Sequence, residues 1–184
     1  MKNWINQLDQ TTNQFLGNFD SLSTEELNWK PNPETWSIAQ NIDHLMVINQ
    51  TYFPILANLK SGDYKTPFLA KLPLIVSFLG KTILKASGPN RTKKIKTFPI
   101  WEPTSSQISA DIFERFSKHH SELKLEIAES EQLIENGAII SSPANKNIFY
   151  RLETAFDIIV AHEQRHLEQS KETLELLKSG AASR

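Results

Sequence analysis

Apolar residues recur at helical spacing along most of the chain, and nowhere does an alternating apolar–polar pattern persist as a strand would require. That periodicity confines the fold to amphipathic helices packed on one another. A first helix is expected from about Asn3 to Phe19, with Trp4, Ile5, Leu8, Phe15 and Leu16 on or near its apolar face. In the connection that follows, Ser23 to Glu26 can start one short turn. Ser37 and Gln40 form an S-x-x-Q capping box behind a candidate staple residue, Trp36, so a second helix starts near Ile38 and runs to about Lys60. A third spans about Gln107 to Asn136 and ends at Gly137. After a loop around Ser141-Ser142-Pro143, the last runs from Leu152 to Leu177. The expected class is all-α: a four-helix bundle with an additional helix and an extended crossover inserted between the second and third long helices. At 184 residues the chain fits one domain, 1–184, with 61–103 as the inserted segment.

The insertion differs in composition. It carries Pro67, Pro73, Pro89, Pro99 and Pro103, and its apolar run Phe68 to Leu84 is interrupted by Lys71, Pro73, Gly80 and Lys81. A short amphipathic helix packed on the bundle is therefore expected in place of a membrane span. It holds more apolar surface than one short helix easily buries, which suggests a homodimer. Asn90 to Pro103 reads as a surface crossover. The net charge of −1 names no charged partner, but charge is unevenly placed. Lys60 to Glu102 holds nine Lys or Arg and two acids, whereas Asp111 to Glu135 holds seven acids and three bases. The cluster Arg91, Lys93, Lys94, Lys96 is short, with Phe98 its only close aromatic, so a solvated loop or the rim of a site for an anionic group is favoured over nucleic acid. The N-terminus lacks the apolar core of a signal peptide, which makes a cytoplasmic protein the expectation.

Chemistry concentrates in the last helix, where His162 to His166 spell HEQRH. Residues four apart on a helix lie about 5–6 Å between Cβ atoms on one face, so two imidazoles can share an ion. The pentapeptide is the zinc-protease signature, with Glu163 in the place of the general base. The extended protease motif would need Gly and His at 169 and 172, where the chain has Gln169 and Glu172, and only eighteen residues follow His166. A third ligand must come from upstream. The chain has no cysteine, so a metal site has to use His, Asp and Glu. His44 flanks the inward stripe of the second helix with Ile48 and Ile55, as His162 and His166 continue the stripe of Ala155, Ile158 and Ile159. A lone histidine there is ordinarily a satisfied core residue, and an HxxxH pair is often incidental. Their coincidence favours a three-histidine site. His119 and His120, among Lys118, Ser121 and Glu122, read as surface residues. Gln169 shares the histidine face and is a candidate to orient a ligand or water; Asn41 and Asp43 are candidates to fix a histidine tautomer. Arg165 suits a salt bridge with a carboxylate, and Glu163, 100° from His162, is expected toward solvent. Lys94 and Lys96 are candidates to hold an anionic group at the rim.

The block Trp36-Ser37-Ile38-Ala39-Gln40-Asn41-Ile42-Asp43-His44-Leu45 resembles the W-S-x-x-x-x-x-x-H-L element of the DinB-like superfamily of metal-binding bundles. His162-Glu163-Gln164-Arg165-His166-Leu167-Glu168-Gln169 is similar to its H-x-x-R-H-x-x-Q element, and Lys96-Thr97-Phe98-Pro99 fits its larger branch. The resemblance implies a four-helix bundle in which His44, His162 and His166 hold one divalent ion with an open position. It also implies a metal-dependent hydrolase or a transferase using a low-molecular-weight thiol, acting on a small molecule. Such an ion can activate water or hold an external thiol as thiolate. Imidazole ligands suit zinc or nickel first. The alternative is a non-enzymatic bundle with a structural metal, serving dimerisation or partner binding.

Overall fold

The computed structural model describes residues 2–89 and 97–180, with Leu69 by its backbone alone. Its elements are α1 (Trp4–Phe19), α2 (Thr24–Asn28), α3 (Ile38–Gln50), α4 (Phe53–Ser61), a 3-10 turn (Phe68–Lys71) and α5 (Pro73–Ser87). There follow a second 3-10 turn (Pro99–Trp101), α6 (Ile112–Glu129), α7 (Glu131–Glu135), strands β1 (Ile139–Ser142) and β2 (Asn145–Arg151), and α8 (Leu152–Lys178). The long helices close a circuit of contacts in which α1 and α3 each pack on both α6 and α8, while α5 packs on α8 and β2. Among the described residues, no helix is long and apolar enough to cross a membrane.

Local chemistry sets the boundaries, and several differ from expectation. Ser37 caps α3 as expected: its side chain accepts from Gln40 N, and the Gln40 side chain accepts from Ser37 N. Ser23 and Glu26 make the same reciprocal pair at α2. The second helix does not run unbroken to Lys60. Pro54 lacks an N–H and its ring crowds the preceding turn, so the helix stops at Gln50 and restarts at Phe53. The third helix is also shorter. Asn28 pairs with both the N–H and the C=O of Ile108 at 2.8 Å, holding that backbone outside any helix until Ile112. At its other end the buried Ser130 hydroxyl bonds back to Glu126 O at 2.7 Å, and the chain breaks there between α6 and α7.

The largest correction concerns Ser141-Ser142-Pro143, expected as a loop. It is the tip of an antiparallel hairpin, with Ile140 opposite Tyr150 and an irregularity between Ser141 and Ser142. Asn and Lys in the first half of β2 hide the strand in the sequence. What holds it is tertiary: Phe149 packs with Ala70 and Val76, and Tyr150 Oη lies 2.9 Å from Tyr52 Oη in the interior. The fold is thus mostly helical with a small two-stranded sheet.

Besides the small cluster around Phe149, the interior holds two larger apolar clusters. One joins Trp4, Leu8, Leu123, Ile127, Phe156 and Ile159; the other joins Phe15, Phe19, Ile42, Leu45, Phe116 and Leu167. Between them runs a buried polar band to which each long helix contributes. Thr12 of α1 bonds His120 Nδ1 of α6, His120 Nε2 lies 2.9 Å from Glu163 Oε1 of α8, and Asn49 Nδ2 of α3 donates to the same oxygen at 3.0 Å. His119 and His120 are therefore buried, against the surface position expected of them. They continue the apolar stripe of Phe116 and Leu123 at i+3 and i+4, a spacing visible in the sequence behind their charged neighbours.

Candidate metal centre

His44 comes from the second turn of α3, while His162 and His166 share one face of α8, and α3 packs directly on α8. One ring nitrogen from each of the three lies within 4.8 Å of the other two. The ring centroids are 4.6 Å apart for His44 and His166 and 4.4 Å apart for His162 and His166.

Hydrogen bonds decide which nitrogens face inward. The backbone carbonyl of Trp101 can only accept, so it takes the Nδ1 proton of His44. His44 Nε2 is left buried with no partner. Asn41 donates through Nδ2 to Ser37 O at 2.9 Å, which turns its Oδ1 toward His166 Nδ1 at 2.6 Å. His166 Nε2 then faces His162 Nε2 at 3.1 Å. Imidazole nitrogens about 2.1 Å from one tetrahedral ion would stand about 3.4 Å apart, close to this spacing. Burial lowers the pKa of His44 to about 4, and burial with the neighbouring His44 holds that of His162 well below the usual histidine value. Neutral rings are what a metal ligand requires. Trp36, expected as a helix staple, instead packs its ring on His44 at 4.5 Å and His166 at 5.9 Å.

His162 and His166 open onto a cavity of about 1550 Å³. Trp36, Ile48, Tyr52, Trp101, Tyr150 and Ile159 form much of its apolar wall. Gln169 also lines it, and its Oε1 is buried without a partner. Arg165 lines it too, donating to Ala86 O at 2.7 Å and so tying α8 to the end of α5. Burial raises the pKa of Tyr52 well above the usual phenol value and raises that of Tyr150, so both remain hydroxyl donors.

Other expected site residues fall elsewhere. Asp43 does not touch a histidine; its Oδ2 accepts from Thr104 N and Oγ1 at 2.7 and 2.9 Å, pinning the end of the crossover. Glu163 is fully buried, facing the polar band and not solvent, and is absent from the cavity wall. Lys94 and Lys96 lie outside the described residues. The contribution that sequence reasoning missed is the Trp101 carbonyl, which no residue-type pattern can signal because any residue supplies one.

The family model of the DinB superfamily matches residues 7–170. The chain is also 29% identical over 171 residues to the uncharacterized protein YuaE of Bacillus subtilis (strain 168), a match covering 92% of this chain and 93% of that protein. No solved structure matches it.

Proposed function

Taking as premise that the chain belongs to the DinB superfamily, we propose that His44, His162 and His166 hold a divalent ion, zinc or nickel, in a metal-dependent enzyme acting on a small electrophilic molecule. The observation that carries this reading is the buried, unpartnered Nε2 of His44 beside two Nε2 atoms only 3.1 Å apart. Burying the His44 Nε2 lone pair unmet costs about 1–3 kcal/mol, a cost that a cation there removes. When bound, the ion supplies Lewis acidity that lowers the pKa of an external thiol or of water.

The chain's own residues divide the remaining work. Trp101 O and Asn41 hold the imidazoles with Nε2 inward, and Trp36 keeps the rings from rotating. Gln169 Oε1 accepts a hydrogen bond from the substrate or co-substrate, and the aromatic wall excludes water around its apolar part. The cavity exceeds the about 300–1000 Å³ that one small ligand ordinarily fills. A cleft of this size can admit a thiol beside an electrophile, or a substrate with water, so thiol-dependent transfer and hydrolysis both fit it. With no cysteine, the chain has no thiol of its own. Glu163 we assign to the scaffold of α8, not to the chemistry.

Metal content of protein purified without an affinity tag, compared with a His44/His162/His166 alanine variant, tests the site. Metal retained by the triple variant would overturn it. Turnover of an electrophilic substrate only when a low-molecular-weight thiol is added separates the transferase from the hydrolase. Loss of the fold on chelation would favour a structural ion.

A further inference from the structure

We propose that the outward face of α5, with the turn before it, docks on an anionic lipid surface. Phe68, Leu72, Leu74, Ile75 and Phe78 are all exposed, Phe68 by 78%, Leu74 by 86% and Phe78 by 69%. Scattered single apolar residues need no explanation, but five within eleven positions form a patch. Every charge from Tyr64 to Pro89 is positive: Lys65, Lys71, Lys81 and Lys85, all exposed.

The two kinds of residue are ordered along the helix. At 100° per residue, Leu74, Phe78, Lys81 and Lys85 share an arc of about 60°, opposite the buried Val76 and Gly80. Leu74 and Phe78 occupy the first half, beside Leu72 and Phe68, and the lysines occupy the second. At 1.5 Å per residue, Lys81 stands about 10 Å and Lys85 about 16 Å along the axis from Leu74. An interfacial helix sinks about 5–10 Å into the headgroup–acyl boundary. With the first turn of α5 inserted, Lys81 and Lys85 reach the level of the lipid phosphates, and Lys71, whose Nζ lies 5.2 Å over the Phe68 ring, flanks the inserted tip.

Charge separates lipid from a second copy of the chain. In a twofold contact through this face, the lysines of each copy would find no carboxylate on the facing segment, whether they lay beside each other or beside the partner copy's apolar half. An anionic surface supplies the missing charge. The other side of α5 contributes Ile83, Ala86 and Ser87 to the metal cavity. Tip-first docking leaves those cavity residues about 14–20 Å along the axis from Leu74, near the level of the two lysines.

Flotation of the full chain with vesicles of phosphatidylglycerol and phosphatidylcholine, against phosphatidylcholine alone, tests the proposal. Binding is expected to anionic vesicles, at least about tenfold stronger than to neutral ones and weakened by salt. Leu74→Glu with Phe78→Glu should lose it, and Lys81→Glu with Lys85→Glu should weaken it at least about tenfold, at about fivefold per lysine removed. Circular dichroism and metal content should be unchanged in both, because these side chains are exposed. No binding to anionic vesicles, or equal binding to neutral ones, overturns the proposal. So does a dimer in solution that the Leu74→Glu/Phe78→Glu variant dissociates while vesicles bind neither form.

Discussion

At His44 one backbone carbonyl does what a protein ligand set ordinarily asks of a second side chain: Trp101 O takes the Nδ1 proton and leaves the Nε2 lone pair facing His162 and His166. Asn41 performs the same task for His166. His44→Ala should abolish metal uptake, whereas Asn41→Leu should keep the three ligands and weaken metal affinity about 10–100-fold, as read by competition with a chelating dye. Glu163 belongs to a different circuit. Its Oε1 receives Asn49 and faces His120, so Glu163→Gln should lower stability by about 1–3 kcal/mol in urea unfolding while metal content stays the same. A general base at Glu163 would give the reverse, with activity lost and stability kept.

The elements meet their neighbours through a few close approaches. Gly80 of α5 lies against β2 and α8 so tightly that a Cβ would come within 3.2 Å of Thr154 Cγ2 and of Tyr150 Cβ. Gly80→Val should cost about 1–3 kcal/mol by overpacking, visible as a lower Tm, and should push α5 off the cavity wall it shares with Arg165. The capping box at Ser37 was legible in a four-residue pattern because a cap is a local hydrogen-bond exchange, whereas Ser23 to Glu26 gave only a short turn and the structure adds the reciprocal pair. The break at Thr51–Tyr52, the late start of α6 and the hairpin were harder to read. Pro54 is a local cause, but the others depend on Asn28 gripping Ile108 and on Tyr52 meeting Tyr150, contacts 80 and 98 residues apart in sequence.

Across the whole molecule, a polar band lies between the two larger apolar clusters, and this layering bears on how the fold should respond to acid and, on the proposed reading, to metal. Burial, then the adjacent His120, lowers the pKa of His119 from 6.5 to about 4. The folded state therefore binds fewer protons than the unfolded chain in this range. Stability present above pH 6.5 is lost progressively as pH falls toward 4, by up to about 3 kcal/mol from this group. His119→Leu should flatten that part of the stability–pH curve. Because neither apolar cluster contains His44, His162 or His166, the protein should keep its helical circular dichroism when treated with a chelator. Zinc or nickel at a hundredfold excess over Kd should then add about 2.7 kcal/mol, read as a concentration-dependent rise in Tm.

From the sequence alone came the helical class, the capping box at Ser37 and the inward faces that carry the three histidines, because each rests on periodicity or spacing readable along a segment. Tertiary structure decided how the histidines are oriented and what surrounds them. The Trp101 carbonyl, the orientation of Asn41, the turning of Glu163 into the polar band and the burial of His119 and His120 arise where separate helices meet. A hydrogen-bond partner or a burial state belongs to a pair of surfaces, and a single segment carries only its own half.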